Sequence, residues 1–347
     1  MKKNGSVECS RFLAAMLIMT HHMYQLGVEE YPFKEAWIYV ELFLLITGFY
    51  TARHYDGHSA GNPSKDAFQY TIRKFLPLFP YACISTVCGW ILRGLHGLLC
   101  EGWIWKKFVI NFLGDFPFDI LLLISSYGYP MITPLWYLSA MLIVFPLFCL
   151  FVQIKNRYTK LLSAILLTLL FYGWNGVSGE RTYPLDMLRV MAGMLLGVVI
   201  YEFSVVFKAH ILRVPKKLLT VVEALAFAFP FFCCLNNYVS RGFTNTRVYL
   251  LCYCIFLLLC LPGFTYSAGI KGKLFDYLGR LSMPIFIFHW CVCMTVNLLA
   301  ELNGWALSLK IILYYALTLL VSVVLMALIG RWRWWNGLLK KDWKLAD

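Results

Sequence analysis

Ten apolar stretches, near 9–26, 36–52, 75–94, 134–153, 160–175, 186–206, 217–239, 248–267, 283–300 and 307–330, divide the chain at lengths that suit a bilayer. Backbone that crosses hydrocarbon must satisfy its own hydrogen bonds, so runs of this length fold as helices packed side by side. The expected fold is all-α: a polytopic transmembrane helix bundle of about ten spans, forming one domain over residues 1–347. With 60% of residues hydrophobic, 17% aromatic and only 14% charged, a soluble domain of this size is excluded. No linker, soluble appendage or convincing internal repeat breaks the pattern. The first stretch carries ionisable groups and lacks a small-residue cleavage site, so it reads as a retained span rather than a cleaved signal.

A net charge of +13 suits a nucleic-acid partner until its distribution is examined. With the amino terminus inside and 104–124 not crossing, 21 Lys and Arg fall on the inner side and 8 on the outer, with Arg11 and Arg189 inside spans. Cytoplasmic loops carry such an excess. Both termini and the loops 53–74 and 207–216 are therefore expected in the cytoplasm, and 95–133 outside, in a multi-pass protein of the cell (plasma or inner) membrane. Asp115, Pro117 and Asp119 interrupt the apolar segment 104–124. If it crossed, every later loop would invert, so it reads as interfacial or re-entrant on the outer side, anchored by Trp103, Trp105 and Phe108. The basic balance is a topology signal, and nucleic acid is not an expected partner.

The twelve cysteines lie almost all within apolar runs, with no C-x-x-C pair and no companion histidine at zinc spacing. They read as small buried hydrophobes, and no metal site is expected.

Within the first span, Arg11 and His22 are eleven residues apart. Eleven helical steps of about 100° return to within about 20° of the start, so both lie on one stripe, roughly 16 Å apart. His21 is rotated about 100° away. Ionisable groups inside a span usually face a bundle interior or a wet cavity. Glu41, near the outer end of the second span, lies at the depth of His22. A Glu41–His22 contact would fix the imidazole tautomer and raise its basicity; the alternative is an interfacial carboxylate. At the inner end, Arg73 and Lys74 open the third span ahead of Pro77 and Pro80, at the depth of Arg11. Together the three make a cationic mouth suited to a phosphorylated ligand. His289 lies inside the ninth span with Ser282 seven residues earlier on the same face; it reads either as a functional group or as a satisfied interhelical histidine. Asp186 and Arg189 read as a structural ion pair, and Gly193-x-x-x-Gly197 as a helix-packing motif.

In this order the motifs resemble the acyltransferase family 3 membrane proteins, the integral membrane O-acyltransferases of bacteria. Arg11, ten residues and His22 match that family's first span. Glu41, Phe43, Thr47, Gly48 and Phe49 match its second, and Arg73 and Lys74 with Pro80 its basic motif. Leu135, Trp136 and Leu138 open the fourth span, and Leu278, Gly279, Ser282 and His289 complete the set. The resemblance covers essentially the whole chain. It implies an enzyme that moves an acyl group, usually acetyl from acetyl-CoA as donor substrate, onto a hydroxyl of a cell-envelope glycan or lipid-linked acceptor, with no bound cofactor. His22 and Glu41 would be the catalytic residues, His22 as base or transient acyl carrier. Arg11, Arg73, Lys74, Ser282 and His289 would bind donor or substrate. The chain departs from the family pattern at Glu41 (usually Asp), Thr47 (usually Ser), Pro77 (commonly Arg) and Met283 (usually Tyr). The competing reading is a polytopic transporter of a lipid-linked sugar or small anion, which more often shows repeat symmetry and paired broken helices.

Overall fold

The computed structural model describes residues 4–57, 61–102, 105–126, 128–175 and 185–340. Among these residues every regular element is helical. In chain order the helices are α1 (Gly5–His21), α2 (Tyr39–Tyr55), α3 (Pro63–Phe75), α4 (Phe79–Leu99), α5 (Trp105–Ile120), α6 (Trp136–Val152) and α7 (Arg157–Asn175). They continue as α8 (Leu185–Val206), α9 (Lys208–Ile211), α10 (Lys216–Leu235), α11 (Thr246–Cys260), α12 (Lys273–Asn303), α13 (Leu307–Arg331) and α14 (Arg333–Lys340). Each of the ten apolar stretches overlaps one of these helices. Six are long and apolar enough by themselves to cross a membrane: α4, α6 with its lead-in from Thr133, α8, α10, α12 and α13.

The helices divide into a core and a rim. The apolar windows of α8 and α12 are 72% and 67% buried, whereas that of α13 is only 17% buried and leaves its Leu and Val side chains outward. Apolar side chains facing outward are what a lipid-facing helix needs.

Glycines set the closest approaches. Gly197 of α8 lies against the Leu45 carbonyl and Phe49 amide of α2, and Gly48 of α2 lies against the Met194 carbonyl, so a Cβ at either would strike backbone. The Gly193-x-x-x-Gly197 motif thus does pack two helices, in the way small residues do in membranes. α1 meets α12 similarly, with the Glu8 carboxylate lying over Gly279. Asn4 caps α1 by accepting from Ser6 N at 3.0 Å and donates to the Cys260 carbonyl, also at 3.0 Å. Gly5 N donates to the Ile270 carbonyl at 2.9 Å, so α1 and α12 start on one face of the bundle, called here the N-terminal face.

Two segments differ from their sequence reading. Arg73 and Lys74 do not open a span; they close α3, a separate helix that begins where Asn62 accepts from Lys65 N and Pro63 supplies the first turn. Ala67, Thr71 and Phe75, four residues apart, turn α3 inward. Pro77, and Pro80 in the first turn of α4, separate the two helices. The ambiguous 104–124 segment contains α5, whose Phe108, Phe112 and Phe116 sit against Trp90 of α4 at ring separations of 6.0, 5.5 and 6.5 Å. Asp119, which breaks its apolar run, accepts from Trp90 Nε1 at 2.9 Å and from Met131 N at 3.2 Å. Trp103 lies outside the described residues.

Candidate active site

α1 ends at His21, and a tighter turn from His22 to Leu26 follows, closed by Gly27 at a positive φ of 86°. This turn aims the His22 ring at α12. His22 is 9% exposed and His289 is fully buried, and their ring centroids are 4.9 Å apart. His22 Nδ1 lies 2.9 Å from the Ile18 carbonyl, and His289 Nδ1 lies 3.1 Å from the Ile285 carbonyl. A carbonyl only accepts, so each Nδ1 carries its ring's proton and each Nε2 holds a lone pair in the neutral form. His289 Nε2 is 3.1 Å from His22 Nδ1. The His22 Nδ1–H therefore lies between two acceptors, the Ile18 carbonyl and His289 Nε2. Two histidines from the first and ninth expected spans form one unit.

A cavity of about 200 Å³ borders this unit at the end of the bundle opposite the N-terminal face, lined in part by His21, His22, Trp37, Thr133, Trp136 and Arg189. Arg189 stands with its guanidinium 5.3 Å from the centroids of both Trp37 and Trp136. Its Nε donates to Glu41 Oε1 at 2.7 Å, and Tyr172 Oη donates to Glu41 Oε2 at 2.6 Å. Both charges are deeply buried, with side chains 4% and 0% exposed.

The expected Glu41–His22 contact is not made, because both Glu41 oxygens are held by Arg189 and Tyr172. The cause is the close α2–α8 packing: Gly193 lets α8 approach until Glu41 Oε2 lies beside it, and Arg189, four residues earlier, then meets the carboxylate. A guanidinium forms stronger charge-assisted hydrogen bonds to a carboxylate than a neutral imidazole does. Arg189 was legible only as half of a local pair with Asp186; its link across to α2 required the fold. Nor does rotation by one residue take His21 away from the site. The chain turns back over it, with Tyr31 Oη donating to the His21 carbonyl at 2.7 Å and His21 Nδ1 lying 2.6 Å from the Lys34 carbonyl.

The cationic residues gather toward the N-terminal face. Arg11 Nη1 donates to Glu8 Oε2 at 3.0 Å. Lys74 is half-buried, and burial, with the nearby Arg11 charge adding to it, pushes its ammonium down to about 8. Arg11 and Lys74 thus share one neighbourhood, and Arg73 is exposed beside them on α3. Ser282 is fully buried and its hydroxyl donates to the Gly279 carbonyl of its own helix at 2.8 Å. The helical rise puts roughly 16 Å between Arg11 and His22, so the cationic group and the histidine pair are the two ends of one path along α1. Sequence reasoning missed Trp37 and Thr133 altogether. It met Trp136 only as a motif letter, although a buried arginine within a span was itself a signal of a polar interior.

Fold and site together define a helical membrane protein with a polar, imidazole-bearing cavity between its helices. A family model described as an acyltransferase domain, that of acyltransferase family 3, matches residues 4–329, and the chain belongs to this family. Comparison with curated proteins and with solved structures found no match. Family and apolar helices together are those of a membrane acyltransferase.

Proposed function

We propose that the chain is a ten-pass O-acyltransferase of the cell membrane that moves an acetyl group from acetyl-CoA onto a hydroxyl of a cell-envelope glycan. The helices α1, α2, α4, α6, α7, α8, α10, α11, α12 and α13 are its spans, and the N-terminal face is cytoplasmic, in line with the 21-to-8 bias of Lys and Arg. Arg11, Arg73 and Lys74 hold the phosphates of the donor there, by the charge-assisted bonds guanidinium and ammonium make to phosphate. The pantetheine arm follows α1 toward His22, and the acceptor enters the cavity from the opposite face.

The observation that carries this reading is the histidine pair, of which His22 lines the cavity and His289 lies buried behind it. His22 Nε2 takes the proton of the acceptor hydroxyl as its oxygen attacks the thioester carbonyl. The resulting imidazolium keeps its Nδ1–H between the Ile18 carbonyl and His289 Nε2, which favours the charged ring. Collapse of the tetrahedral intermediate breaks the C–S bond, and the departing thiolate takes the proton back from Nε2. General-base help of this kind is worth about 10²–10⁴ in rate. If His22 instead carries the acyl group, the same nitrogen is the nucleophile. Glu41 acts as a positioning residue: it fixes Arg189 at the cavity wall rather than touching His22.

Mass spectrometry of envelope glycans from cells with and without the gene tests this. Loss of one acyl mass from a defined glycan is the expected result, and identical acylation in both would overturn the proposal.

A further inference from the structure

A second group of ligating side chains lies far from the histidine pair, where α4 and α12 end. These helices run side by side in the same direction, from Ser85 Oγ at 3.3 Å from Cys291 Sγ to His96 Nε2 at 2.9 Å from Glu301 Oε2. His96 and Cys100 are four residues apart at the end of α4, one turn from each other on the same side. One ligand atom from each of His96, Cys100 and Glu301 lies within 4.8 Å of the other two. Around zinc, imidazole nitrogen sits at about 2.0 Å, thiolate at about 2.3 Å and carboxylate oxygen at about 2.0–2.2 Å. Tetrahedral neighbours are then roughly 3.3–3.6 Å apart, so small side-chain rotations bring the three donors onto one ion.

A further carboxylate stands behind the histidine. Glu101 Oε1 is 3.1 Å from His96 Nδ1, off the line of a hydrogen bond in this rotamer, and Arg93 Nη1 holds the same oxygen at 3.0 Å. A carboxylate on the second nitrogen of a ligating histidine orients the ring and leaves the first nitrogen for the metal. Mixed imidazole, thiolate and carboxylate donors suit a borderline divalent transition metal and not calcium or magnesium, which take oxygen ligands. His96 and Glu301 are 28% and 53% exposed, so a fourth position opens to water.

The geometry points to a zinc-class metal site formed by His96, Cys100 and Glu301, with Glu101 as its outer carboxylate. An ion there ties the end of α4 to α12, the helix that carries His289 twelve residues earlier. The sequence search found no such site because its third ligand is some two hundred residues from the other two.

Cobalt(II) titration of the full chain in detergent, after chelator treatment and removal of the chelator, tests the site. One equivalent should bring up a thiolate-to-cobalt charge-transfer band with the visible bands of four-coordinate cobalt, and zinc should displace both. Cys100→Ser, a one-atom change at a half-buried side chain, should abolish the charge-transfer band while the metal-free thermal transition stays unchanged. His96→Ala should weaken binding by tenfold or more, and Glu101→Gln by about tenfold, within the range of outer-shell changes. Cys83→Ala, on α4 but distant from the cluster, should bind like the parent. Absence of a stoichiometric cobalt spectrum, or a charge-transfer band of equal strength in Cys100→Ser, would overturn the assignment.

Discussion

Removing Glu41 should unfold the cavity wall rather than merely slow the chemistry. Its carboxylate is fully buried and holds Arg189, itself 4% exposed, at 2.7 Å. Glu41→Ala leaves that guanidinium buried without its counter-ion, which costs about 3–5 kcal/mol. Trp37 and Trp136, whose rings lie 5.3 Å from the guanidinium carbon, attract the cation in parent and variant alike and so leave this difference unchanged. A loss of about 3–5 kcal/mol follows. Glu41→Gln keeps the volume and one acceptor and loses the charge, a change worth about 1.5–3 kcal/mol. Arg189→Ala loses a similar amount by stranding Glu41. The double variant should be less damaged than the sum of the single ones, with a coupling on the order of 1–3 kcal/mol. Reversible unfolding in mixed detergent micelles, followed by circular dichroism and tryptophan fluorescence, measures all four proteins. Single losses below about 1 kcal/mol, or strict additivity in the double variant, would refute the pairing.

Three other outcomes follow from the same structure. Gly197→Ala should destabilise by about 1–3 kcal/mol and more than Gly193→Ala, because its Cβ meets the backbone of Leu45 and Phe49 whereas that of Gly193 first meets the Leu44 side chain; equal melting shifts would contradict this. Donor affinity should fall as pH rises through about 8, since Lys74 is charged below that value and neutral above it, and Lys74→Arg should flatten the profile; an unchanged profile in Lys74→Arg removes Lys74 from the donor site. Arg73→Ala and Arg11→Ala should each weaken acetyl-CoA binding by about tenfold or more, with Arg73→Lys recovering only part, as read by calorimetry.

The all-helical class and the family were legible because apolar length and short motifs are properties of single segments. His22 and His289 were each visible as ionisable groups within spans. Their meeting was not, since it depends on α1 ending at His21 and on how α12 packs beside it. Arg189 shows the same limit: i, i+3 spacing suggested Asp186, while Gly193 and Gly197 determine that α8 lies against Glu41 of α2. Arg73 and Lys74 were placed at the right end of the bundle but in the wrong element, because Asn62 and Pro63 start a helix inside a stretch polar enough to read as loop. Long-range pairing, not local propensity, is what the sequence withheld.

Transfer from isotope-labelled acetyl-CoA to envelope glycan, measured in membrane vesicles at matched protein levels, is the most direct test of His22. His22→Ala should lose about 10²–10⁴ in rate while still inserting, and His289→Ala should lose less, because it removes an acceptor for the Nδ1–H and not the base itself. Wild-type transfer by His22→Ala would contradict the assignment of His22 as the group that moves the proton or carries the acyl.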